Sequence, residues 1–128
     1  MSWETGEDEL RALQSLSAAD RAVHLVQLVA DWEEAWGLLD DQGWVVAKET
    51  DALPLWPHPD LARACAQGNW EGAEPTTIPL DDLLEELLPL LEEDGLRTAL
   101  FPTPDDPGVI LEAPELGRRL EAELDLGA

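Results

Sequence analysis

Three sets of side chains in this sequence have the character to act on another molecule. The first is aromatic: six tryptophans stand beside one phenylalanine and no tyrosine. Trp36, Trp44, Trp56 and Trp70 would line a groove for a peptide or small molecule, with their indole N–H groups as donors. The plainer alternative is that they fill the junction between a hairpin and helices, because large aromatics dominate small cores. The second set is anionic. Asp81, Asp82, Glu85, Glu86, Glu92, Glu93 and Asp94 follow one another with no intervening base. This run reads either as a ridge that meets a basic protein or as the solvated back of an amphipathic helix. Asp82, Glu85 and Glu86 are its binding candidates. The third set is the pair His58 and Cys65, seven residues apart at a predicted helix start. Two helical turns put them about 10 Å apart, too far for a direct thiol–imidazole dyad. His58, between two prolines, therefore reads as a cap or turn residue that could also border the Trp56 region, and Cys65 as a small core residue.

Catalytic inventories beyond these are thin. The serines are Ser2, Ser15 and Ser17, none of them in a Gly-x-Ser-x-Gly elbow. The glycines punctuate turns and form no phosphate-cradling loop. The acid pairs Asp40-Asp41, Asp81-Asp82 and Asp105-Asp106 lack the ligand spacing of an EF-hand, and His24 and His58 have no partner at zinc spacing. No catalytic residue, cofactor or dedicated metal site is implied, and the balance points away from an enzyme.

Charge restricts the partners further. Twenty-nine acids against seven bases give a formal net charge of -22. A phosphate-binding face needs clustered Lys and Arg, so direct binding to nucleic acid or to an anionic membrane is not expected. What remains is a basic partner, mimicry of a nucleic-acid backbone, high solubility or adaptation to salt. A GC-rich genome would also favour this composition. One cysteine excludes an internal disulfide. MSWETGEDEL has neither the basic nor the apolar region of an export signal. No apolar run approaches the roughly 20 residues that span a bilayer. A cytoplasmic location is the expectation.

The chain of 128 residues is expected to form one α+β domain, with residues 1–6 frayed. Glu7 to Gln14 could form a short helix. Ser17 and Asp20 mark the start of the clearest helix, whose inward positions are Ala22, Leu25, Val26, Val29 and Trp32 or Glu33. AWGLLDDQGWVVAKE reads as a β-hairpin turning at Asp40–Gly43, with Gly43 in the left-handed position. Leu53 to Trp56 reads as a strand, followed by a helix that Pro59 opens and Gly68 ends. An extended stretch around Thr76–Leu80 leads to a leucine helix, capped by Asp81 or Asp82 and kinked or shortened by Pro89. Strands at Leu96–Phe101 and Val109–Leu111 and a last helix from Pro114 complete the set. Strands and helices mix without βαβ regularity, so the expectation is a small, mainly antiparallel sheet with about four helices.

Taken in order, LSAADR, WGLLDDQGW, PLWPHPDLA and GNWEGAEPTTIPLDDLLEELLPLLEEDG resemble a family of small bacterial proteins of unknown function, DUF2750. The resemblance covers about residues 16–96 and rests on the order and spacing of the pieces. It implies a compact α+β domain and brings no catalytic residues to transfer. Trp36, Trp44, Trp56 and Trp70 fall inside the matching motifs, whereas Trp3 and Trp32 do not. The functional expectation is a non-catalytic interaction module that binds a basic protein, with an immunity or inhibitor protein as its sharpest form. A Trp-rich pocket near Trp56, serving a small-molecule binder or enzyme, and a nucleic-acid mimic are the alternatives.

Overall fold

A computed structural model of the chain describes residues 6–127. Ser2, Trp3 and most of the stretch expected to fray lie outside the described residues. The chain folds as α+β, with about five helices and two three-stranded sheets in place of the single small sheet expected.

Helix α1 (Glu7–Gln14) leads into α2 (Ala18–Trp32). Ser17 caps α2 by accepting a hydrogen bond from the Asp20 N–H, as the Ser-x-x-Asp spacing predicts. Ala22, Leu25, Val26 and Val29 are buried, but Trp32 is 42% exposed. The helix ends there because Glu33 turns left-handed, with φ 57°, and its N–H closes onto Val29 O.

Strand β1 (Glu34–Asp40) turns through Asp41 and Gln42 into β2 (Gly43–Trp44). The Asp40 side chain accepts from the Gln42 N–H, and Gly43 takes φ +116°. Thus the predicted turn forms, but the returning strand lasts only two residues. Strand β4 (Glu74–Pro79) lies along the other edge of β1, antiparallel. The second sheet orders β3 (Ala52–Leu55), β5 (Arg97–Leu100) and β6 (Val109–Glu112), with β3 parallel to β5.

Two isolated bridges link the sheets: Ala47, just after β2, pairs with Ala52 of β3, and Trp36 of β1 pairs with Trp56, just after β3. Trp36 and Trp56 exchange both backbone hydrogen bonds, each 2.8 Å long. This pair also fixes the direction of every backbone group of β1. Even-numbered residues face β2 and β3, so odd-numbered residues face β4 and pair with Glu74, Thr76 and Ile78. The outer edge of β4 therefore belongs to Pro75, Thr77 and Pro79. Two of those three positions have no N–H to offer a further strand.

Short helix α3 (Pro59–Ala64) follows β3. It stops before the predicted Gly68, which instead takes φ +61° and opens a single 3-10 turn, Gly68–Trp70. The leucine helix is α4 (Leu80–Asp82), a π-helical turn (Leu83–Leu87) and α5 (Leu88–Glu93) in unbroken succession. Pro89 neither breaks nor ends this run. The wider π turn lies immediately before it, where the missing proline N–H would interrupt regular α bonding. The predicted Asp81 or Asp82 cap does not form: Pro79 occupies the N-cap position, and the two acids lie in the first turn without a side-chain cap bond. There they favour the positive end of the helix dipole. Leu83, Leu87, Leu88 and Leu91 are buried, and α5 packs on the last helix, α6 (Ala113–Gly127), which in turn packs on α2.

The proline edge generates a testable consequence. Replacing Pro75 and Pro79 together by threonine restores two outward N–H groups to β4. In salt high enough to shorten the Debye length to about 3 Å, the variant should associate more than the parent in sedimentation velocity. Equal masses for the two would show that the prolines do not guard this edge.

Candidate functional site

The loop after β5 begins at one of three non-glycine residues with positive φ among the described residues. Phe101 is buried yet left-handed, with φ 54°. A bulky residue adopts that conformation only when its surroundings fix it. Three groups do so. The Phe101 N–H donates to Leu55 O at 2.9 Å. Its carbonyl accepts Arg21 Nε at 3.0 Å. The next carbonyl, Pro102 O, accepts Trp56 Nε1 at 2.9 Å and Cys65 Sγ at 3.5 Å. Beyond it Thr103 and Asp106 exchange backbone bonds around Pro104 and Asp105. Gly108, at φ +83°, closes the loop where a Cβ would lie 2.5 Å from Leu100 O, so no other residue fits.

Arg21 is the buried group behind this loop, only 4% exposed. Besides Phe101 it donates through Nη1 to Leu16 O at 2.7 Å. Its guanidinium lies 5.8 Å from the Phe101 ring centre. Nη2 sits 3.1 Å from Asp106 Oδ1 but makes no aligned hydrogen bond, so that contact is Coulombic attraction. The same Asp106 oxygen accepts the Gly108 N–H at 2.7 Å. Arg21 heads the row Arg21–Leu25–Val29, spaced by four along the inward side of α2. That spacing is the sequence signal that would have revealed it, hidden because an arginine is read as a surface residue.

The tryptophans expected to act together are separated by depth. Trp56 is wholly buried and committed to Pro102. Trp70 is half-buried and meets Trp56 edge-on, with ring centres 6.5 Å apart. Trp44 is half-buried, and its ring covers Gly37 so closely that a Cβ there would lie 3.1 Å from it. Trp36 is half-buried and holds the sheet bridge through its backbone. His58 is buried as the N-cap of α3, where Nδ1 accepts the Asp60 N–H at 3.1 Å. Cys65 occupies the other end of that helix. Burial pushes its thiol up to about 11, despite opposing contributions from Trp56 and Arg21, so it is no nucleophile near neutrality.

A broad open groove of about 1550 Å³ runs between the turn after β1, the 67–72 stretch and the 102–107 loop. Trp44 and Trp70 line it, with Cys65 and Pro102; Trp36, Trp56 and His58 do not. Its acids are Asp40, Asp41, Glu49, Glu71, Asp105 and Asp106, against the single base Lys48. Asp82, Glu85 and Glu86 are exposed on the leucine helix and lie outside this lining. Among the described residues no group of three or more His, Cys, Asp or Glu side chains is placed to hold a metal ion. No helix among them is long and apolar enough to cross a membrane.

A family model described as "Protein of unknown function (DUF2750)" matches residues 22–120. The chain belongs to that family. The match begins just after LSAADR, which it leaves out, takes in the other three motifs and continues through β5, β6 and about half of α6. No curated protein and no solved structure matches the chain.

Two measurements test the loop and its supports. Arg21→Ala leaves the carbonyls of Leu16 and Phe101 without their donor and Asp106 without its counter-charge. It should cost about 3 kcal/mol in urea unfolding, with Arg21→Lys costing less. A loss below about 1 kcal/mol would show that the loop is held by other contacts. For Cys65 the neutral thiol is favoured in the native state. Its contribution is complete below the ordinary value of 9.0 and is lost as pH rises from there through about 11. Thiol alkylation at pH 8 should therefore require unfolding, and prompt native-state labelling would contradict the burial.

Proposed function

We propose that this member of the DUF2750 family is a non-catalytic protein-interaction module that binds a positively charged partner at the acidic, tryptophan-lined groove. The observation that carries the reading is the lining itself: six carboxylates, one ammonium group and two half-buried indoles around one open groove. Carboxylates attract a basic surface from a distance, while indole faces provide close contact for cationic or apolar side chains. A net charge of -22 supports the same choice of partner and opposes nucleic acid and anionic membranes. His58 bound as a cap and Cys65 protonated at neutral pH support a role without catalysis. A cytoplasmic location is part of this reading. Neutralisation of a basic toxin or nuclease is its most specific form.

The leucine helix provides a second acidic surface, because Asp82, Glu85 and Glu86 are all exposed. Nucleic-acid mimicry would use that ridge rather than the groove. Affinity capture with two neutralised variants separates the two. Asp40→Asn/Asp41→Asn/Glu49→Gln should lose the partner, and Asp82→Asn/Glu85→Gln/Glu86→Gln should keep it. Capture should also fall steeply between roughly 50 and 500 mM salt, since exposed charges are screened over that range. Retention by the groove variant and loss by the helix variant would transfer the role to the ridge. Binding indifferent to salt would remove both.

A further inference from the structure

We infer that the groove takes an extended polypeptide segment bearing arginine or lysine side chains, and not a free polyamine or small metabolite. The inference rests on the groove being the binding surface of the preceding subsection. Size is the first argument. At about 1550 Å³, the groove exceeds the roughly 300–1,000 Å³ that encloses small ligands.

The distribution of charge is the second. Asp40 and Asp41 come from the end of β1 and the turn after it, Glu49 from the segment between β2 and β3, Glu71 from the 67–72 stretch and Asp105 from the 102–107 loop. Each wall therefore carries its own carboxylate, and one compact cation cannot serve them all. Cationic side chains spaced along a strand can. Their aliphatic stems would lie on the indoles while the charged heads reach the walls.

Rigidity is the third argument. The Trp70 ring is fixed edge-on against Trp56, and the Trp44 ring rests on Gly37. The 102–107 wall is held from behind by Trp56 through Pro102 and by Arg21 through Asp106. Prefixed walls lower the ordering cost of binding a flexible segment. A second copy of this chain is a poor occupant, because each copy carries a net charge of -22.

Calorimetry on the full chain at low salt tests the inference. The probe is an alternating arginine–serine peptide of about eight residues, a length suited to an extended binding mode. Spermine, charge-matched to it, and argininamide are the comparisons. The peptide should bind at least about tenfold more tightly than either amine. Glu71→Gln, Asp105→Asn and Trp70→Phe should each weaken it at least about threefold, and Glu121→Gln on α6 should not. Spermine binding as tightly as the peptide would overturn the inference, as would equal loss with Glu121→Gln. If the amines match the peptide while capture of an intact partner still depends on Asp40, Asp41 and Glu49, the groove reading survives and only the peptide assignment falls. If the groove variants affect neither, both fall.

Discussion

The Trp36–Trp56 backbone pair is the contact on which the rest of the architecture depends. It is an isolated bridge, yet it joins a sheet built on β1 to a sheet built on β5. Its two hydrogen bonds set which backbone groups of β1 face β4, and so which groups of β4 face outward. The same Trp56 then sends its indole N–H to Pro102, tying the bridge to the loop that follows β5. A residue wholly removed from water can anchor this much because its N–H is satisfied and its ring packs on all sides.

From that anchor the loop after β5 is built by a succession of local necessities. Phe101 must turn left-handed, Gly108 must have no side chain, and two successive carbonyls must find donors. Arg21 supplies one donor from a helix eighty residues earlier in the chain. A buried cation there is costly unless every polar contact is arranged, and its neighbours Leu16, Phe101 and Asp106 arrange three of them. The outcome is a rigid wall whose outer surface carries Asp105 and the prolines that line the groove.

Acidity and aromaticity, two separate properties in the chain, meet at that groove. The acid-rich leucine helix and the acid-bearing loops are different surfaces with different potential uses. On the helix, carboxylates lie opposite a buried leucine face, as an amphipathic pattern requires whether or not a partner exists. In the groove, carboxylates surround half-buried indoles, an arrangement that amphipathicity does not require.

Much of the fold was legible in the residues. Ser17 and Asp20 marked the start of α2, Asp40–Gly43 the turn, Pro59 the start of α3 and the leucine spacing the helical run near residue 90. These are local signals, in which neighbours along the chain satisfy one another's backbone groups. The length of β2, the passage of the helix through Pro89 and the division into two sheets were not legible, because each depends on a distant segment. The candidate site followed the same rule. The tryptophans and acids were conspicuous by type, and the sequence by itself determined an acidic α+β chain. Only the tertiary structure decided that Trp56 and His58 are occupied in the interior, that Trp44 and Trp70 share a groove with six acids, and that Arg21 lies beneath its wall. The physical reason is that burial and convergence arise when segments far apart in sequence exclude water from one another, and no spacing along the chain records that.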